Sequence, residues 1–256
     1  MSKELQAKGE AGASIYGKVN EGLLDSLSSA EAGDFEFAKL TVVQPTSKIP
    51  GQPGDIIDSN TNEKVIGIGE SLSFVPLWFF KSFSVSTIKP RKWKRNETKV
   101  PANATRSLFD NRESEEDGDK VRWTERVNMY IVLSKDLDEA LPTVYRLLFK
   151  PSSFKEIKKL LMDWEIKKKT GQYPFVFAWK ITPVLEENEE GKYVVLQVTK
   201  DVQGGVQGQV KPEQFEGVKY WVETLVKNGD QIKKVESKLA DDVEGEAAPT
   251  PGSIGY

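Results

Sequence analysis

The chain of 256 residues contains no histidine and no cysteine. Their absence excludes an imidazole general base, a Ser-His-Asp or Cys-His nucleophile, a zinc site of imidazole and thiolate ligands, and any disulfide. A bound metal would have to be a hard cation held by oxygen atoms. The sequence predicts neither a cofactor nor a metal site.

Long hydrophobic runs are also missing. The longest nearly apolar run, residues 72–80, is far shorter than the roughly 20 residues that a membrane-spanning helix needs. Residues 1–13 mix acidic and basic side chains and lack the apolar segment of a secretory signal. We therefore expect no membrane association and a cytoplasmic location.

Composition divides the chain into three parts. Residues 1–36 are rich in Gly, Ala, Ser and Glu, which predicts a flexible N-terminal arm. Residues 37–239 alternate apolar segments with turn residues and predict one core domain. Residues 240–256 carry four carboxylates and no base, followed by Pro, Gly and Ser, and predict an acidic disordered tail.

The sequence of the core domain predicts a mixture of strands and helices. Short apolar stretches separated by Pro, Gly and Asn indicate strands, and Pro76 should bend the most apolar of them or place it at an edge. Helical spacing predicts two amphipathic helices, near residues 153–169 and 212–228, and Ser153 and Glu156 have the spacing of a capping box. The prediction is an α+β fold built on a small antiparallel β-barrel or strongly bent sheet.

Two strongly charged segments are predicted as loops. Residues 87–105 are basic and interrupted by prolines, and residues 110–119 hold six carboxylates against one arginine. Charge and proline both weaken strand formation, so we expect these segments to lie outside the sheet.

Three possible catalytic or ligand-binding patterns are weak. Residues 67–69 begin like a dinucleotide loop, but Leu72 stands where the third glycine belongs. Residues 113–118 have the spacing of a calcium loop, but Thr124 replaces the closing Glu. The remaining carboxylates lie mainly in predicted loops or on helix faces, whereas magnesium catalysis needs them at the ends of buried strands. We therefore predict a protein that is not an enzyme.

The strongest functional signal runs from residue 79 to residue 95. Six cations and no carboxylate occur here, interleaved with Phe79, Phe80, Phe83 and Trp93. Single-stranded nucleic acid is bound by this combination, because cations follow the phosphates and exposed rings stack on bases. A buried aromatic strand beside a solvated basic loop would give the same pattern. The predicted nucleic-acid-binding residues are Phe79, Lys81, Phe83, Lys89, Arg91, Lys92, Trp93, Lys94, Arg95, Arg122, Trp123 and Arg126.

This organisation resembles that of phage-encoded single-stranded-DNA-binding proteins, from the basic aromatic segment to the acidic tail. The resemblance implies an OB-like fold and a role in phage DNA replication or recombination in the host cytoplasm. It also implies a tail that competes with DNA for the cations and recruits replication or recombination proteins. The chain departs from that pattern at its end, because ten residues follow the last tail carboxylate, Glu246.

The predicted function is non-enzymatic, sequence-tolerant binding of single-stranded DNA. One alternative is a phage structural or assembly protein whose aromatic residues are core or interface and which binds no nucleic acid. Another is a magnesium-dependent nucleic-acid enzyme, which would turn over substrate and stop when the metal is chelated.

Overall fold

The computed structural model describes residues 37–90, 92–106, 112–189 and 191–238. The predicted flexible arm and acidic tail lie outside the described residues. Within these ranges the chain forms three α-helices: α1 Phe154–Lys169, α2 Pro212–Lys227 and α3 Gly229–Lys238. It also forms thirteen strands: β1 Ala38–Val42, β2 Ile56–Asp58, β3 Glu63–Ile66, β4 Leu72–Thr87, β5 Trp93–Glu97, β6 Thr105–Arg106, β7 Arg112–Glu116, β8 Asp119–Leu133, β9 Val144–Phe149, β10 Trp179–Asn188, β11 Gly191–Lys200, β12 Val202–Gln203 and β13 Val206–Gln207.

Eleven of these strands form one sheet. Its main order is β11-β10-β4-β8-β9-β1-β2-β3, with β5 paired to β4, β7 to β8 and β6 to β7. The pair β1–β9 is parallel and the others are antiparallel, so the sheet is mixed. β12 and β13 form a separate two-stranded hairpin.

The prediction of a small antiparallel, OB-like barrel is wrong. The described strands form an open mixed sheet, although the α+β class is retained. The sheet is dominated by β4 and β8, which are 16 and 15 residues long and pair along most of their length. Pro76 does not end β4, because the register shifts between Pro76 and Trp78, and such an irregularity accommodates a residue that lacks an N–H.

Helices cover both faces of this sheet. Met129, Ile131 and Leu133 of β8 belong to the hydrophobic cluster that also contains Phe154, Ile157 and Leu160 of α1. The alternate residues Tyr130 and Val132 belong to a second cluster with buried side chains of α2 and α3. Because successive strand residues point to opposite faces, α1 lies on one face and α2 and α3 lie on the other. Both predicted helices are therefore present, each with its apolar stripe against the sheet.

In the part of the chain that the structure describes, no helix is both long enough and apolar enough to cross a membrane.

Candidate nucleic-acid interface

The predicted binding segment lies where β4 and β8 extend beyond the main core. There β5 pairs with the end of β4, and β7 and β6 continue the sheet beyond β8. We call this five-stranded extension the wing; it consists of residues 81–87, 93–97, 105–106, 112–116 and 119–126.

Two loop predictions fail in the wing. The basic segment 87–105 contains β5, and the acidic segment 110–119 contains β7. β5 pairs with β4 and β7 pairs with β8, and this pairing satisfies backbone groups within the two charged segments. The basic side chains of β5 then lie close to the acidic side chains of β7, and their electrostatic attraction favours this arrangement.

One face of the wing has a small core of its own. Val85, Val121 and Trp123 are buried, and Phe83 packs against them. Trp123 is 3% exposed, and its indole N–H donates to Ser114 Oγ at 2.8 Å. The structure thus places two of the predicted stacking residues, Phe83 and Trp123, in packed positions.

Four of the predicted phosphate-binding cations are paired with carboxylates. Arg95 donates two hydrogen bonds of 2.9 Å to Glu116, and a third of 2.9 Å to Glu97. These bonds from Arg95 hold the pKa of the Glu116 carboxyl below its usual value, although partial burial opposes the shift. The other pairs in this set are Lys94–Glu116 at 3.9 Å, Arg122–Glu113 at 3.3 Å and Lys81–Glu125 at 2.6 Å. Glu116 of the acidic segment therefore pairs with two cations of the basic segment, Lys94 and Arg95.

Phe79 and Arg126 lie apart from these pairs. Phe79 packs edge-on against Trp164 of α1, with ring centres 5.6 Å apart, at the base of the wing. Arg126 is 4% exposed and lines a small polar cleft between the sheet and α3, together with Asn96, Asn128 and other side chains. The cleft is on the face opposite the small core of the wing.

Lys89, Lys92 and Trp93 are the predicted residues that the structure exposes together, in and directly after the turn between β4 and β5. We call these three residues the tip. The turn is held by Thr87, whose N–H donates to Lys92 O at 2.8 Å and whose Oγ1 accepts from Lys92 N–H at 3.0 Å. Trp93 is 37% exposed, and its indole N–H lies 3.4 Å from Asn96 Oδ1. Arg91 lies outside the described residues.

The cleft contains a buried network that the sequence analysis did not single out. Arg146 and Glu236 form an ion pair of 2.7 Å, and Arg146 donates two hydrogen bonds to Asn128 Oδ1. Tyr130 donates from its hydroxyl to Glu236 at 3.2 Å, and burial followed by the charge of Glu236 raises the pKa of this tyrosine. A signal was present in the sequence, because Glu236 follows the buried Ile232 by four residues and so shares its helix face.

A second polar cluster joins β4 to β10. Ser73 donates to Asp201 at 2.5 Å, and Lys180 pairs with the same carboxyl at 2.9 Å. Burial raises the pKa of Asp201, but the hydrogen bonds from Ser73 and Lys180 outweigh it and the pKa is lowered. A serine nucleophile needs an adjacent base directed at its hydroxyl, whereas Lys180 is paired with Asp201. This cluster therefore ties strands together.

Among the described residues, no group of three or more Asp or Glu side chains is placed to hold a metal ion. The calcium-loop pattern at residues 113–118 falls in β7 and the turn after it.

Comparison with protein-family models, curated proteins and solved structures finds no match to this chain.

Proposed function

We propose that the protein binds single-stranded DNA without sequence specificity and without catalysis, and that the tip is its primary contact. The observation that carries the proposal is the exposed ring of Trp93 beside Lys89 and Lys92, on a turn anchored by Thr87. An exposed ring stacks on a base of any sequence while neighbouring cations bind the phosphates on either side. A role in phage replication or recombination in the host cytoplasm, with the acidic tail recruiting partner proteins, follows from the resemblance and belongs to the same proposal.

The ion pairs in the wing change the expected binding strength. Lys81, Lys94, Arg95 and Arg122 already contact carboxylates, so each gains less from a phosphate than an exposed lysine does. Three of the six cations counted along residues 79–95, Lys81, Lys94 and Arg95, are paired in this way, so about three remain to neutralise phosphates.

The first prediction follows from this count. Single-stranded DNA should bind better than duplex, because stacking on Trp93 needs a base that is already unpaired. Between 50 and 200 mM salt, affinity should fall by about 20-fold for three phosphates, and by about 300-fold for six. Titration of a labelled oligonucleotide with the full chain at these two salt concentrations measures the fall.

Equal affinity for single strands and duplex, or affinity that does not change with salt, would exclude the proposed mode. A fall of several hundred-fold would instead show that DNA displaces the carboxylates from Arg95 and its neighbours.

The second prediction concerns Trp93. Replacing it with alanine should weaken binding by about 1–3 kcal/mol, the usual contribution of one base stacked on an aromatic ring. The Trp93→Phe variant keeps a stacking surface and should retain most of the affinity. Both variants should stay close to the parent in thermal stability, since Trp93 is 37% exposed and belongs to none of the hydrophobic clusters of the described residues. Unchanged affinity of Trp93→Ala at either salt concentration would contradict stacking at the tip.

A phage structural or assembly protein is the second candidate, and a specific observation favours it. Trp123 is buried and the cations on β5 are paired with the carboxylates on β7, as expected of a wing that presents a stable protein surface. In that case the oligonucleotide would not bind at 50 mM salt, and the Trp93→Ala variant would behave like the parent in the same titration.

A further inference from the structure

The outer face of α1 combines exposed apolar and cationic side chains. Its inner face, which includes Phe154, Ile157 and Leu160, is buried against the sheet. Met162 and Ile166 lie one turn apart on the opposite side and are 66% and 57% exposed. An exposed pair of this kind, within a helix that already has a buried apolar stripe, is unnecessary for folding.

Lysines surround this apolar pair. Five lysines of α1 are exposed, against one exposed carboxylate, Glu165. Lys159 pairs with Glu156 at 2.7 Å, and the other four form no ion pair with another described residue. The exposed lysines are Lys155, Lys158, Lys159, Lys168 and Lys169. The surface therefore fits an acidic segment that also carries an apolar side chain.

The chain itself contains such a segment. Residues 241–246 hold Asp241, Asp242, Glu244 and Glu246 around Val243, and no base occurs between residue 240 and the end of the sequence. We infer that residues 241–246 of one copy dock on the outer face of α1 of a second copy, with Val243 against Met162 and Ile166 and the carboxylates among the lysines.

Two observations favour this surface over the tip as the place where the acidic segment docks. Around the tip, Lys94 and Arg95 are already paired with Glu116, which leaves Lys89 and Lys92, whereas four lysines of α1 form no ion pair with another described residue. The tip also lacks an exposed aliphatic pair. Nucleic acid is a poorer match for α1, because an aliphatic pair offers no ring on which a base can stack.

Docking between copies follows from the topology. α3 ends at Lys238 on the sheet face opposite α1. The eight residues from Lys238 to Glu246 extend by at most about 28 Å. Crossing from α3 around the sheet to the outer side of α1 passes two helices, each about 10 Å thick, and the sheet between them. A second copy avoids this path, and the contact is head-to-tail, because the two copies contribute different surfaces.

Sedimentation velocity of the full chain at low salt, without DNA, tests the inference. The parent should associate as concentration rises. Two reversed variants should each lose about tenfold or more in association constant: Lys158→Glu with Lys169→Glu on α1, and Asp241→Lys with Asp242→Lys on the acidic segment. Mixing the two reversed variants should restore association, because each then offers the complement of the other.

Matched controls come from lysines on other helices. Lys227→Glu with Lys234→Glu changes the net charge as much as the α1 variant does, at exposed positions on α2 and α3. It should associate like the parent. Val226→Ser, at a 61% exposed position, should likewise leave association unchanged, whereas Ile166→Ser should weaken it.

A parent chain that stays monomeric at every concentration would overturn the inference, and so would a mixture that fails to reassociate. An equal loss of association in the control with Lys227→Glu and Lys234→Glu would show that net charge alone causes the effect. That result would also overturn the inference. Circular dichroism on each variant confirms that it is folded. Because no DNA is present, these outcomes leave the proposed function untouched.

Discussion

Replacing Trp123 with alanine should lower the free energy of unfolding by about 3–5 kcal/mol, the usual range for removing a buried aromatic side chain. Trp123 is 3% exposed, packs with Val85 and Val121, and donates a hydrogen bond to Ser114. The guanidinium of Arg95 also lies 5.5 Å from the centre of the Trp123 ring, and the alanine variant loses this contact. Urea denaturation followed by circular dichroism measures the loss.

Trp93→Ala is the matched control for this change. Each tryptophan directly follows a cation in the sequence, but Trp93 is far more exposed, and its removal should cost less than about 1 kcal/mol of stability. Equal losses for the two variants would mean that Trp93 also supports the wing, and its proposed stacking role would then lose its basis.

The contrast between these tryptophans shows what the sequence could not predict. Lys92-Trp93-Lys94 and Arg122-Trp123-Thr124 look alike as local patterns. Their burial depends on the strand register, in which Trp123 lies opposite Val85 and Trp93 lies opposite Ser86 beside an irregularity of the β4–β5 pair. Register is a long-range property, so local periodicity indicated strands without indicating which ring would be covered.

The helices were predictable because their signal is local. The stripe of Phe154, Ile157 and Leu160 repeats every three or four residues and faces one core cluster, as the spacing predicts. The capping box that the spacing of Ser153 and Glu156 predicts is not formed. Ser153 makes no side-chain cap bond, and its Oγ accepts from Leu196 N–H on β11 at 2.9 Å. The Ser153 hydroxyl therefore bonds to a strand distant in sequence instead of to the start of its own helix.

The sheet was less predictable because its order depends on distant pairings. β1 lies beside β9, more than 100 residues later in the chain, and this parallel pair continues the sheet past β8. The acidic segment becomes β7 only because β8 provides its partner, and this pairing brings Glu116 to Arg95. The cations could therefore be counted from the sequence, but the pairing of Arg95 with Glu116 could not be predicted from it.

Breaking the ion pair between Arg146 and Glu236, under α3, should also lower the free energy of unfolding strongly. Arg146 and Glu236 have side chains only 7% and 8% exposed. Removing either charge leaves the other buried without its main partner, which typically costs about 3–5 kcal/mol. We therefore expect Glu236→Gln and Arg146→Met each to lower the free energy of unfolding by that amount in urea denaturation.

The double variant separates a paired interaction from two independent ones. With both charges absent, neither member of the pair remains buried without the other, so the double variant should lose clearly less than the sum of the single losses. The remaining loss comes from Asn128, which accepts two hydrogen bonds from Arg146. Additive losses would show that the two side chains act separately. Single losses below about 1 kcal/mol would show that Ile232 and its apolar neighbours hold α3 on the sheet without help from the pair.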